Sequence, residues 1–268
     1  MSPNLPKPIL KNPKPIPVKV HIPHKDQISH WIHQFIEKVV DVTGDGHCGF
    51  RAVADLRNLS VDDHLMIRYH LNNALIDEEN VCYRRMIGEG RRYKKVLGTL
   101  TFCGIGHAPP DKWMTMSDMS LLIAQRYKHA VVLLSIEKGR SETFFPLCGE
   151  PSHTERLMCM AHVNDNHFMI IYLKNGCHIP HTCPLWRQHC RDDAKSWLGR
   201  YISRIADYNE LCRAASYNVI GDDEDLYIME NLDQEEKVVA EKKVEDGVKI
   251  EKEDSFNLDD VGINLGVN

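Results

Sequence analysis

From residue 30 to about residue 215, apolar positions recur at spacings that switch between a helical and a strand-like period. The segment HWIHQFIEKVVDV, residues 30–42, sets Trp31, Ile32, Phe35, Ile36, Val39 and Val40 near helical spacing and gives the first core signal. Ser60, followed by Val61, Asp62 and Asp63, has the chemistry of a helix N-cap with acids in the first turn, and predicts a helix to about residue 76. Residues 84–97 read as helix interrupted by Gly88 and Gly90, and residues 117–127 as another capped helix. Residues 130–135 (AVVLLS), 144–147 and 168–173 (FMIIYL) have the length and branching of strands. Residues 192–213 place Trp197, Tyr201, Ile205 and Tyr208 on one helical face. Helices and strands mixed in this order predict an α/β or α+β domain over residues 30–215.

The flanks follow neither period. Residues 1–24 hold seven prolines and four lysines with no acid, so residues 1–29 are expected to be a proline-rich arm. Residues 221–268 carry 16 acids against 5 lysines, and residues 216–268 are expected to be an acidic disordered tail. The chain's net charge of -5 is therefore an average over a mildly basic domain and a strongly acidic tail. No apolar run approaches the roughly 18 residues of a membrane span, so no membrane partner is expected. The lysine- and proline-containing start lacks the apolar stretch of about 7–15 residues that a secretory signal needs. Nine cysteines, an odd and modest number in 268 residues, do not form a disulfide scaffold. The chain is expected in a reducing intracellular compartment, cytoplasm or nucleus, with free thiols.

One of those thiols has a distinctive setting. In Asp45-Gly46-His47-Cys48-Gly49-Phe50-Arg51-Ala52, a glycine-rich turn feeds a cysteine that opens a helix over residues 50–56. A helix N-terminus favours a thiolate, and backbone N–H groups converging around glycines can hold a developing oxyanion. His167 stands where the polar stretch Asn164-Asp165-Asn166 enters an apolar strand, which suits an imidazole held at a sheet edge. Spacing alone also allows both residues to be ordinary packing groups. The crowded Cys177, His178, His181, Cys183, His189 and Cys190 match no zinc-finger spacing, so no metal and no cofactor are expected.

The string from Asp45 to Ala52 resembles the D-G-x-C-x-[FY]-R signature of the ovarian-tumour (OTU) family of cysteine proteases, and Asn166-His167-Phe168 resembles that family's second motif. Residues between and beyond these motifs resemble the OTU-like subgroup associated with transposon-derived proteins of plants and fungi, over roughly residues 38–215. The resemblance implies a papain-like fold, a short mixed sheet flanked by helices. It implies Cys48 as nucleophile, His167 as general base and Asp45 as the motif aspartate, with Gly46 and His47 in the oxyanion loop. Many OTU enzymes carry Asp or Asn two residues after the histidine, where this chain has Met169. The orienting group is therefore expected among Asp45, Asn164 and Asn166, the alternative being a ring held by packing alone. The implied activity is thiol proteolysis of isopeptide bonds to ubiquitin or a ubiquitin-like modifier. Two other readings stand beside it: a catalytically silent OTU domain that binds ubiquitin or another protein, and a transposon-derived module associated with nucleic acid, a partner not expected on balance.

Overall fold

The computed structural model describes residues 20–77, 80–104, 106–135, 141–152 and 157–216. The acidic segment from residue 217 and the first 19 residues of the proline-rich arm lie outside them. Five strands build one mixed sheet: β1 (Ile36–Asp41), β2 (Val131–Leu134), β3 (Glu142–Phe144), β4 (Met158–Val163) and β5 (His167–Leu173). Their order across the sheet is β1-β5-β4-β2-β3, antiparallel throughout except between β2 and β4. This is the short mixed sheet flanked by helices that the sequence leads one to expect. The three central strands β5, β4 and β2 are buried almost throughout, as befits a sheet covered on both faces.

Register decides which residues share a face. Leu133 pairs with Glu142 on one side and Met160 on the other, Met160 with Ile170, and His162 with Phe168. Because side chains alternate along a strand, Glu142, Leu133, Met160, His162, Phe168 and Ile170 all point to the same face. Helix α1 (Cys48–Leu56) packs on this face, where the Tyr172 hydroxyl donates to the Asp55 carboxylate. Helices α2 (His64–Ile76), α3 (Val81–Ile87), α4 (Arg91–Leu100) and α5 (Asp118–Tyr127) stack around α1 and the β2–β3 side. The opposite face looks toward α6 (Pro184–His189) and α7 (Lys195–Ser216): the Thr143 hydroxyl donates to Pro180 O at 2.7 Å, and the Phe145 ring packs among Trp186, Trp197 and Tyr201.

Several expectations are met. Trp197, Tyr201, Ile205 and Tyr208 form the buried face of α7. Ser60 caps the turn before α2 in a reciprocal pair, with Ser60 Oγ accepting from Asp62 N and the Asp63 carboxylate accepting from Ser60 N. The glycines at 88 and 90 separate α3 from α4 instead of merely weakening one helix.

Two segments differ from their sequence pattern. Residues 30–42 are not a helix: His30–Phe35 is a 3-10 turn, and the β-branched remainder enters the sheet as β1. Pairing of Val39 and Val40 with Ile171 and Ile170 adds β1 to the sheet edge, with Ile36 buried and both valines half-buried, and that tertiary gain overrides the local period. Strand β4, MCMAHV, carries little β-branching and so has no strand signature, yet it lies at the centre of the sheet. Residues 20–29, expected within the arm, also make core contacts, since Ile28 is buried and Val20 and Ile22 pack against the core. Among the described residues no helix is long and apolar enough to cross a membrane.

Candidate active site

Cys48 is the first residue of α1, so its backbone belongs to the set of N–H groups that the helix cannot satisfy internally. The preceding loop is held in shape by glycine. Gly46 has φ +79°, and a Cβ there would come within 2.5 Å of Trp113 Nε1 and 2.6 Å of Ala108 O. Trp113, an anchor for its own loop, donates from Nε1 to Ala108 O at 2.9 Å, while Ala108 N donates to Asp45 O at 2.9 Å. Gly49 lies against Met114 closely enough that a Cβ would meet its sulfur at 2.7 Å. The Cys48 loop is thus locked against residues 108–114.

His167 opens β5 after a tight turn in which Asn164 and Asp165 both have positive φ, 52° and 57°. Asn and Asp tolerate that left-handed region better than other non-glycine residues, which explains the polar run before the strand. Gln27 clamps the turn from the N-terminal segment. Its side-chain amide donates to Asn164 Oδ1 at 2.5 Å, and Asn164 N donates to Gln27 Oε1 at 2.6 Å. The imidazole so placed lies beside the Cys48 thiol, close enough to interact with it, and its Nε2–H donates to Asp41 Oδ1 at 2.7 Å. With Nε2 committed to Asp41, the nitrogen left for sulfur is Nδ1, which lies on the Gly44 side, 3.7 Å from where a Gly44 Cβ would sit. The thiol also reaches the Asn166 carbonyl at 3.9 Å. Hydrogen bonding to Cys48, with a further contribution from Asp41, outweighs partial burial and pushes the His167 pKa up to about 9.

Asp41 is not among the residues expected to orient the ring, and the expected ones are engaged elsewhere. The Asp45 carboxylate accepts from Arg51 Nη2 at 2.7 Å and from His47 N at 3.0 Å. Asn164 is held by Gln27, and Asn166 contributes its backbone to the turn, donating to Val163 O. The β1–β5 register explains the substitution: Asp41 pairs directly with Met169. Residues two apart on a strand share a face, so an acid opposite Met169 lies diagonally beside His167. A carboxylate absent from β5 is supplied from the neighbouring strand.

His47 also differs from expectation. Its N–H is committed to Asp45, which leaves the N–H groups of Gly46 and Cys48 as the loop's candidate oxyanion donors. The His47 ring is fully buried, with Nε2–H donating to Gly106 O at 3.0 Å and Nδ1 accepting from Arg68 Nη2 at 3.2 Å. This pair of bonds fixes the neutral tautomer, and burial lowers the His47 pKa. Arg68 is itself buried, stacked 3.7 Å over the Phe50 ring and donating to the carbonyls of Thr99 and Lys112. Arg51 reaches from Asp45 to Asp62 Oδ1 at 2.8 Å and Val61 O at 3.0 Å. The motif's Asp45, His47 and Arg51 therefore brace the loop, while Cys48 and His167 meet on its other side.

A cavity of about 540 Å³ opens beside Cys48, walled by Trp113, Met114, Met116, Leu133 and Phe168 and bounded by Glu142 and His162. Ser117, on its rim, has φ +76° and ψ -68°, an uncommon conformation for a residue with a side chain.

No protein-family model and no curated protein matches the chain. Among solved structures it is similar to the Hazara virus OTU bound to ubiquitin, at 18% identity and a TM-score of 0.35, over 53% of this chain and 84% of that one.

Proposed function

We propose that this protein is a cysteine-type hydrolase that cleaves isopeptide bonds to ubiquitin or a ubiquitin-like modifier. The observation that carries the reading is the His167 imidazole held between the Cys48 thiol at the start of α1 and Asp41 at 2.7 Å. The resemblance of residues 45–52 and 166–168 to the OTU motifs supplies the substrate class.

In this scheme the site rests near neutral pH with His167 protonated, since its pKa is about 9. An adjacent imidazolium and a helix N-terminus both favour the anionic, nucleophilic form of a thiol. The Cys48 sulfur attacks the scissile carbonyl carbon, and the oxygen takes up charge facing the N–H groups of Cys48 and Gly46. As the C–N bond breaks, His167 Nδ1–H gives its proton to the departing amine, leaving a thioester on Cys48 and a neutral imidazole. Water then attacks the thioester while His167 takes a proton from it. Thiolate and imidazolium are restored and the carboxylate product leaves. Asp41 fixes the ring so that Nδ1 faces sulfur throughout, the part an orienting carboxylate plays in other triads.

The test is a ubiquitin whose C-terminus carries a thiol-reactive electrophile, added to the full chain. The expected result is a single adduct on Cys48, absent in Cys48→Ser and His167→Ala chains of native circular dichroism. Absence of an adduct with the wild-type chain, with ubiquitin binding retained, would instead identify a silent binding domain.

A further inference from the structure

Glu142 is an unexpected residue to find beside a nucleophile. It lies on β3, on the sheet face it shares with Leu133, His162 and Phe168, and those four side chains bound the cavity next to Cys48. Among the described residues none donates a hydrogen bond to its carboxylate or forms an ion pair with it. A half-buried carboxylate without a partner is costly, and burial raises its pKa to about 7. The apolar part of the wall is Trp113, Met114, Met116, Leu133 and Phe168, and the rest is polar, including Ser117, Ser135, Asp165 and Asn166.

We infer that this cavity is a substrate pocket for a basic side chain, in which Glu142 pairs with the cationic head of a lysine or arginine residue close to the scissile bond. The shape and chemistry match that occupant. Lysine and arginine carry an apolar stem of three or four methylenes and a charged tip, and the cavity pairs apolar wall residues with two acids, Glu142 at its sheet side and Asp165 on its lining. A carboxylate in poor contact with water gains more from a counter-charge than one on an open surface, because the attraction is less screened. Neutral or acidic side chains would leave Glu142 unpaired or repelled, so the pocket discriminates by charge as well as by fit. Glu142 is a specificity residue here and takes no part in bond cleavage. The inference rests on the hydrolase reading for its meaning as a substrate pocket, whereas occupancy of the cavity can be measured without any reaction.

The experiment has two parts. 1-Butylguanidine, a butyl guanidinium, and butylurea, its uncharged counterpart, are titrated by calorimetry into the full-length protein and into E142Q and E142D chains of native circular dichroism. Butylguanidine is expected to bind wild type at least tenfold more tightly than butylurea, with that margin lost in E142Q and partly kept in E142D, in line with a charge-assisted hydrogen bond. Equal affinity for the two ligands, or a butylguanidine affinity unchanged by E142Q, overturns the pocket whatever the enzyme does. In the second part, fluorogenic acyl-amides with arginine or norleucine before the scissile bond are compared with isopeptides carrying arginine or norleucine beside the modified lysine. The set showing an arginine preference in kcat/KM, reduced about tenfold in E142Q, assigns the pocket to the acyl or the leaving side. Butylguanidine binding without turnover of any substrate would retain the pocket and overturn the hydrolase reading alone, while turnover without arginine preference in either set overturns the specificity role.

Discussion

Two histidines within a few ångströms of one loop show opposite chemistry. His167, at the edge proposed to react, lies beside the Cys48 thiol with the Asp41 carboxylate on Nε2, and its pKa rises to about 9. His47, on the supporting side, is sealed between the Gly106 carbonyl and the Arg68 guanidinium, and its pKa falls because the charged form would be buried. His64, whose ring lies 4.3 Å from that of His47 and tilted 49° to it, is lowered for the same reason. The residue type is the same; what differs is whether the surroundings supply negative charge. The reacting edge is arranged to keep a proton near sulfur, and the supporting side to exclude one.

The sharpest break in this contrast comes from the reacting edge. Cys48→Ser and His167→Ala should each lower kcat/KM by at least about 10⁴, with melting temperature little changed, as expected when one member of a cooperating pair is removed. Steady-state kinetics beside thermal melts checks both halves of that statement. Asp41→Asn should have a smaller effect. The Asp41 side chain is 47% exposed, so water competes for the ring, and a loss of about 10- to 100-fold in kcat is expected against roughly 10⁴ for a buried triad acid. Its pH signature is more specific. The required imidazolium is lost as pH rises through about 9, and removing Asp41 lowers that value, so the alkaline limb of kcat/KM should move to lower pH.

On the supporting side the expected damage is to stability. Arg51→Ala strands the Asp45 carboxylate, whose side chain is only 12% exposed, and should cost about 3 kcal/mol in urea unfolding, the low end for breaking a buried pair. The smallest effect is expected at His64, whose two ring nitrogens are buried with no hydrogen-bond partner among the described residues. A histidine whose folded pKa is depressed contributes stability above its unfolded pKa of about 6.5 and loses it as pH falls through the folded value. His64→Leu should therefore be close to neutral at pH 8 and should shallow the decline in stability below about pH 6.5, leaving the part due to the other depressed histidines, His47, His70 and His181. His167 has the opposite sign: its contribution is present below about 6.5 and fades as pH rises toward 9. Unfolding curves at pH 5, 6.5, 8 and 9 separate the two sides.

How much of this was legible beforehand can be argued from particular residues. Cys48 at a helix start and His167 at a strand start follow from glycine placement and from the turn-forming Asn164-Asp165 pair. The face of α7 follows from its spacing. Asp41 was hidden by a misreading of β1, because a residue at the end of an apparent helix has no cross-strand partner. Once 36–41 is a strand antiparallel to FMIIYL, the acid opposite Met169 becomes visible. Glu142 carries no signature at all, since its importance depends on which residues the sheet register brings to one face. The bracing by Arg68 likewise depends on a contact between α2 and the loop that no local pattern encodes.

The central claim is that Cys48 is activated by its neighbours, and the rates at which iodoacetamide alkylates individual cysteines test it without any assumption about substrate. Cys48 is 5% exposed whereas Cys103 is an exposed free thiol, so accessibility alone would make Cys103 react first. With the full chain at pH 6.5 and peptide mass mapping, the account predicts that Cys48 is modified at least tenfold faster than Cys103, and that His167→Ala removes the advantage. Alkylation of Cys48 no faster than Cys103, or a rate indifferent to His167, would contradict it.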